Sequence, residues 1–152
     1  VAESAGRIVG FLIAYDENRR YASSNYRWFR SRYPQLLYID RVVIASAQRG
    51  GGVGRIFYAD VTSFAEVRTP LLTCEVFLEP RNDTALVFHG TYGFQEVGQR
   101  VMDENGLRVS MLVKELGCYS WVKTRWLEGP GLPDLAWLSE RPHRTASAGE
   151  VA

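Results

Sequence analysis

Apolar and polar residues along this 152-residue chain follow two different periods. Runs rich in β-branched and aromatic residues fall at 6–15 (GRIVGFLIAY), 36–45 (LLYIDRVVIA), 71–78 (LLTCEVFL), 94–102 (FQEVGQRVM) and 107–116 (LRVSMLVKEL), and predict strands. Helical spacing takes over between Gly54 and Glu66, where Ile56, Phe57, Val61 and Phe64 share one stripe; Pro70 forbids its continuation. Asn82 or Asp83 can cap another helix running to about Gly90, because a short side-chain oxygen satisfies an unpartnered amide of the first turn. Gly93 ends that helix or the turn after it, and Asn105-Gly106 predicts a hairpin turn. Ser4-Ala5-Gly6 is a turn ahead of the first run, so the sequence opens inside or just before a hairpin.

The order is strand, insert, strand, helix, strand, helix, hairpin. It predicts a mixed α/β domain over 1–116, and the strand–helix–strand unit at 36–78 implies a parallel pair. In the insert, NRRYASSNYRWFRSRYPQ (18–35), Ser23 or Ser24 can cap a short helix that Pro34 ends. Residues 117–152 differ in character: they carry Gly-Pro-Gly-Leu-Pro at 129–133, three Trp and a polar end, RPHRTASAGEVA. This predicts a partly ordered extension and a disordered tail.

Composition narrows the picture only slightly. At 46% apolar and 12% aromatic the chain is globular, and a net charge of +1 gives no ground for nucleic acid or a membrane as a partner. Cys74 and Cys118 fit no metal-ligand or CxxC spacing, so no metal is expected and two ordinary thiols of a cytoplasmic protein are. No apolar run approaches membrane-helix length.

The densest chemistry lies in AQRGGGVGRIFYAD (47–60). Gly50, Gly51, Gly52 and Gly54 stand between a strand and a helix opening near Val53, flanked by Arg49 and Arg55. Unpaired amides and the helix dipole make such a turn an anion site, and glycines let a phosphate approach the backbone. No Gly-Lys-Ser/Thr follows, so it is not a P-loop, and the third glycine of a dinucleotide fingerprint is missing. A Gly-rich turn with no ligand is the alternative.

VVIASAQRGGGVGR resembles the acetyl-CoA signature of the GCN5-related N-acetyltransferases, whose core Gln/Arg-x-x-Gly-x-Gly/Ala is matched by Arg49, Gly52 and Gly54. NDTALVFHGTYGF resembles the family's later motif through Asn82, Ala85, Phe88, His89, Gly93 and Phe94. The resemblance covers about 6–116. It implies a twisted, mostly antiparallel sheet with a central parallel pair splayed apart, flanked by helices. It also implies that acetyl-CoA lies in that gap, its pantetheine on the backbone around Val42, Val43 and Ile44 and its diphosphate on the turn from Arg49 to Arg55. The family's N-terminal strand and one or two helices have no counterpart before the first strand here.

Acetyl transfer to an amine needs a neutral amine, a donor for the developing oxyanion (by family analogy the Val43 amide) and a proton for the leaving thiolate. The family often uses a Tyr as the acid in the later motif. His89 holds that place here, with Tyr92 as the alternative, and solvent or substrate supplies the proton if neither reaches the sulfur. Asp40 is the first candidate base, since strand alternation puts Tyr38, Asp40 and Val42 on one face; a salt bridge to a neighbouring Arg such as Arg41 or one from the insert is the competing reading. Glu75 is the second candidate.

The insert holds five Arg, five aromatics and no acid. Arg19, Arg20, Arg27, Arg30 and Arg32 can attract an acidic acceptor that Tyr26 or Trp28 walls. Nucleic-acid stacking and a plain surface helix covering the core are the other two readings. A second copy in a homodimer, or the Trp-bearing segment 119–138, is expected to cover the exposed sheet edge. The functions to separate are an acetyl-CoA-dependent N-acetyltransferase acting on a small-molecule or peptide amine in a ternary complex, and a non-catalytic module keeping CoA binding or the Arg-aromatic insert for recognition.

Overall fold

The computed structural model describes residues 1–131. Six strands form one sheet: β1 (Ala2–Ser4), β2 (Arg7–Asp16), β3 (Leu37–Ile44), β4 (Leu71–Phe77), β5 (Gln95–Val101) and β6 (Arg108–Glu115), in the order β1-β2-β3-β4-β6-β5. All neighbours are antiparallel except β3 and β4, the pair that the helical crossover between them makes parallel. The opening hairpin turns at Ala5 and Gly6, both with positive φ.

Helices cover both faces. α2 (Val53–Ala65) and α3 (Asp83–Thr91) pack on one side, where Phe57, Tyr58, Val61 and Ala65 meet Leu37, Ile39, Leu72, Cys74 and Val76. α1 (Ser24–Arg30) covers the other, burying Tyr26 and Phe29 against Tyr38, Val109 and Met111. The Ser23 hydroxyl caps α1 by accepting from the Tyr26 amide, and Glu104 of the β5–β6 loop accepts from both the amide and the hydroxyl of Ser24. The insert's aromatics thus cover the core. α4 (Cys118–Val122) and a π-helical turn (Lys123–Leu127) follow β6. The extension expected over 117–152 is described only as far as Gly131, and the predicted tail, RPHRTASAGEVA, lies outside the described residues. Among the described residues no helix is long and apolar enough to cross a membrane.

Two irregularities shape the sheet's centre. β3 and β4 pair only at Leu37↔Leu72 and Tyr38↔Thr73, and then diverge. On the other edge of β3 the register with β2 slips, because Ile13 faces Arg41 while Ala14 faces Ile39. Asp40 is the extra residue of a β-bulge. The bulge inverts the side-chain alternation: Leu37 and Ile39 face α2 before it, whereas Val42 and Ile44 do so after it. Tyr38, Asp40 and Val42 therefore do not share a face as strict alternation predicts. Tyr38 lies under α1, and Val42 packs on the α2 side.

Candidate active site

Where β3 and β4 part, a cleft of about 170 Å³ opens, lined by Asp40, Val42, Tyr58, Glu75, Asn82 and His89 among others. Past Tyr38 the β3 edge facing β4 carries no strand among the described residues, and along Val42–Ile44 only the Arg49 side chain reaches back to it, at the Ile44 carbonyl.

At one end of the cleft stands the glycine turn. Gly50 and Gly52 have φ of +79° and +87°, a left-handed conformation that side chains resist. Gly52 is the N-cap of α2 and offers no side-chain cap. The Gly51 amide donates to Gln48 O, but those of Gly50, Gly52, Val53, Gly54 and Arg55 find no acceptor among the described residues. Four of these five come from consecutive residues at the N-terminus of a 13-residue helix, where the dipole adds positive character. A methyl on Gly54 would touch Ile44 and Phe88 at 3.6 Å, so those two side chains buttress the turn from below. Arg49 reaches back to Ile44 O (3.4 Å), and Arg55 is exposed. Asn82 caps α3 by accepting from the Ala85 amide at 3.0 Å.

The cleft has two chemically distinct walls. On the α1 side, Glu75 projects from β4. The Tyr38 hydroxyl donates to its Oε1 at 2.9 Å, and its Oε2 is buried with no hydrogen-bond partner among the described residues. Burial raises the carboxyl from its usual 4.5 to about 7; the neighbouring Asn25 amide and Tyr38 hydroxyl pull the other way, and the Asp40 charge adds to the rise. Asn25 is itself fully buried, with neither amide atom in a hydrogen bond. Asp40 has both oxygens engaged: Oδ1 accepts from Tyr21 and Oδ2 from Arg41 Nε, each at 2.6 Å. The salt-bridge reading of Asp40 is thus the one the geometry favours.

On the α2–α3 side, His89 is buried. Its Nδ1 lies 2.7 Å from Ala85 O and its Nε2 lies 2.5 Å from the Tyr58 hydroxyl. A carbonyl only accepts, so Nδ1 carries the proton and Nε2 accepts from Tyr58. Burial pushes the imidazole pKa down, although the Ala85 bond opposes this. In this arrangement His89 is neutral with no proton on Nε2, which disfavours the proton-donor role expected for it. Tyr92 packs its ring on Phe88 (4.8 Å between centroids) and on Tyr58 (5.6 Å). Sequence reasoning missed Tyr58, Tyr38, Tyr21 and Asn25. Glu75 left a signal, since a carboxylate inside the apolar run LLTCEVFL demands an explanation.

No family model matches the chain, and no curated protein matches it by sequence. Solved structures do. Ribosomal-protein-alanine N-acetyltransferase from Brucella melitensis is 26% identical with a TM-score of 0.56, over 76% of this chain and 67% of that one. Naa20 of Chaetomium thermophilum, solved with a bisubstrate analogue, gives a TM-score of 0.60 at 17% identity, over 80% and 67%. The NatC complex bound to Gag peptide and CoA gives 0.53 at 16%, over 71% and 61%. The fold is that of the GCN5-related N-acetyltransferases. This chain spans between three fifths and two thirds of the length of these neighbours.

Proposed function

We propose that the chain is an acetyl-CoA-dependent N-acetyltransferase that passes the acetyl group directly to a primary amine in a ternary complex. The observation that carries this is Glu75, a half-neutral carboxyl set in the gap between two parallel strands that stop pairing after two residue pairs. Acetyl-CoA supplies the thioester. The chain fits it with five amides left without an acceptor among the described residues for a diphosphate, the β3 edge at Val42–Ile44 that no strand covers among those residues for an amide-bearing arm, and a cleft leading to Glu75.

The two walls divide the labour. The amine approaches on the α1 side, and Glu75 takes its proton, directly or through a water, as the new C–N bond forms and the C–S bond breaks. A base with a pKa near 7 is half ionised at neutral pH and still basic enough to accept that proton. Asp40, tied to Tyr21 and Arg41, acts through charge by keeping Glu75 basic. The thiolate leaves on the α2–α3 side. Tyr92, packed on Phe88 and Tyr58, is the candidate donor on that side, because Tyr58 is committed to His89 and His89 to Ala85; otherwise water returns the proton.

Calorimetry with acetyl-CoA tests the reading, followed by thiol release across a panel of amines. Binding followed by amine-dependent release is the expected result. No binding by folded protein refutes it, and binding without release for any amine leaves a CoA-binding module. Gly52→Val, which forces a side chain into φ +87°, costs about 1–2 kcal/mol and should weaken acetyl-CoA binding roughly tenfold while the circular dichroism is retained.

A further inference from the structure

The five insert arginines do not all lie spread over the surface. Arg19 and Arg20, from the loop after β2, and Arg27 and Arg30, one turn apart on α1, converge on a hollow of about 370 Å³ with Tyr21 and Tyr26 among its lining. Among the described residues, none of these four guanidinium groups lies within ion-pair distance of a carboxylate. The nearest acids along the chain are used elsewhere. Asp16 accepts from the Asn18 amide, and Glu17 accepts from the Asn18 side chain and the Leu36 amide. Four like charges gathered around one concavity repel each other until an anion enters.

The hollow is also built in advance. Tyr26 is 1% exposed, and its hydroxyl sits between the carbonyl oxygens of Asp16 (2.7 Å) and Arg19 (2.9 Å), which pins the loop bearing Arg19 and Arg20 onto α1. Tyr21 joins the hollow to the cleft, since its hydroxyl donates to Asp40, a residue of the cleft wall. The hollow and the Glu75 wall of the cleft both lie on the α1 side of the sheet, the side proposed for the amine.

We propose that this arginine-lined hollow selects acceptors, and that the acceptor is a peptide whose residues next to the reacting amine are acidic. The inference rests on the acetyltransferase reading and adds the substrate class. It favours a peptide over nucleic acid on charge. With five arginines in the insert against a whole-chain net charge of +1, the rest of the chain is net acidic, which disfavours a phosphodiester backbone. One concave site suits one or two carboxylate side chains, which guanidinium groups grip in bidentate fashion.

The test compares Ala-Asp-Asp-Gly-Trp with Ala-Asn-Asn-Gly-Trp on the full chain, by thiol release with acetyl-CoA and by calorimetry. The acidic peptide should be favoured in kcat/KM by about tenfold or more at low salt, and the ratio should fall as salt rises because exposed charges are screened. Arg27→Gln/Arg30→Gln, on the exposed side of α1, should bring the ratio close to one with acetyl-CoA affinity intact, and the Lys pair should keep much of it. Equal kcat/KM for the two peptides overturns the proposal, as does a preference that survives the double Gln variant. An oligothymidylate that binds more tightly than the acidic peptide overturns it in favour of nucleic acid. If acetyl-CoA fails to bind, the enzyme reading falls, and the calorimetric comparison of the two peptides still decides the hollow. If neither peptide is turned over, that same comparison decides.

Discussion

Glu75 and His89 line opposite walls of one cleft, and water is withdrawn from both, yet burial does opposite things to them. Desolvation penalises the charged form of each. For the carboxyl this raises the pKa to about 7, so Glu75 titrates where cells operate. For the imidazole it lowers the pKa, so His89 stays neutral there. The partners complete the contrast. Glu75 keeps one oxygen unpaired, while His89 has both nitrogens engaged. A buried ionisable group becomes chemically active when burial moves its pKa toward the working pH and its hydrogen bonds leave a position open.

The largest test of that contrast is Glu75→Gln. It should lower turnover by about 10²–10⁴-fold, the usual contribution of a positioned base, with acetyl-CoA affinity unchanged in calorimetry. A near-wild-type rate would transfer the base role to another group. Next, kcat/KM should rise with pH through a midpoint of about 7. Asn25→Leu should move that midpoint upward, since the Asn25 amide pulls the carboxyl down; a midpoint that stays put would separate Asn25 from Glu75.

Stability should carry opposite slopes from the two walls. Glu75 binds its proton more tightly folded than unfolded, so its contribution is present below pH 4.5 and is lost as pH rises through about 7. His89 binds its proton less tightly when folded, so its contribution is present above pH 6.5 and is lost as pH falls through its lowered pKa. Urea melts of Glu75→Gln and His89→Gln against wild type between pH 4 and 8 should give differences whose slopes with pH have opposite sign. Equal signs would break the comparison. The smallest effect belongs to Tyr58→Phe: leaving His89 Nε2 buried without its donor costs about 1–3 kcal/mol of stability, with turnover close to wild type. A large loss of rate with unchanged folding would instead put Tyr58 in the chemistry.

Much of the fold was legible before the structure. The predicted strands at 71–78 and 107–116 match β4 and β6 to within a residue at each end, because their apolar runs are bounded by Pro70, Gly106 and Gly117. Asn82 caps α3 as its side-chain chemistry predicts. The site was legible in part. The glycine turn stands where the strand-to-helix spacing puts it. The relation between Asp40 and Glu75 was not readable, because a strict two-residue period cannot register a bulge, and the bulge decides which face each β3 side chain takes. Nor does any local pattern around His89 announce Tyr58, which lies 31 residues away on another helix.

The extra residue at Asp40 acts as a dislocation does in a crystal. One surplus unit in one row puts every side chain beyond it out of phase, while the neighbouring row of β2 keeps its pairing on either side. Rather than a cavity carved by removing side chains, the cleft of this molecule lies beside a fault in its hydrogen-bond lattice. Excising that single residue would restore plain alternation along β3, and would take away the carboxylate that Tyr21 and Arg41 hold.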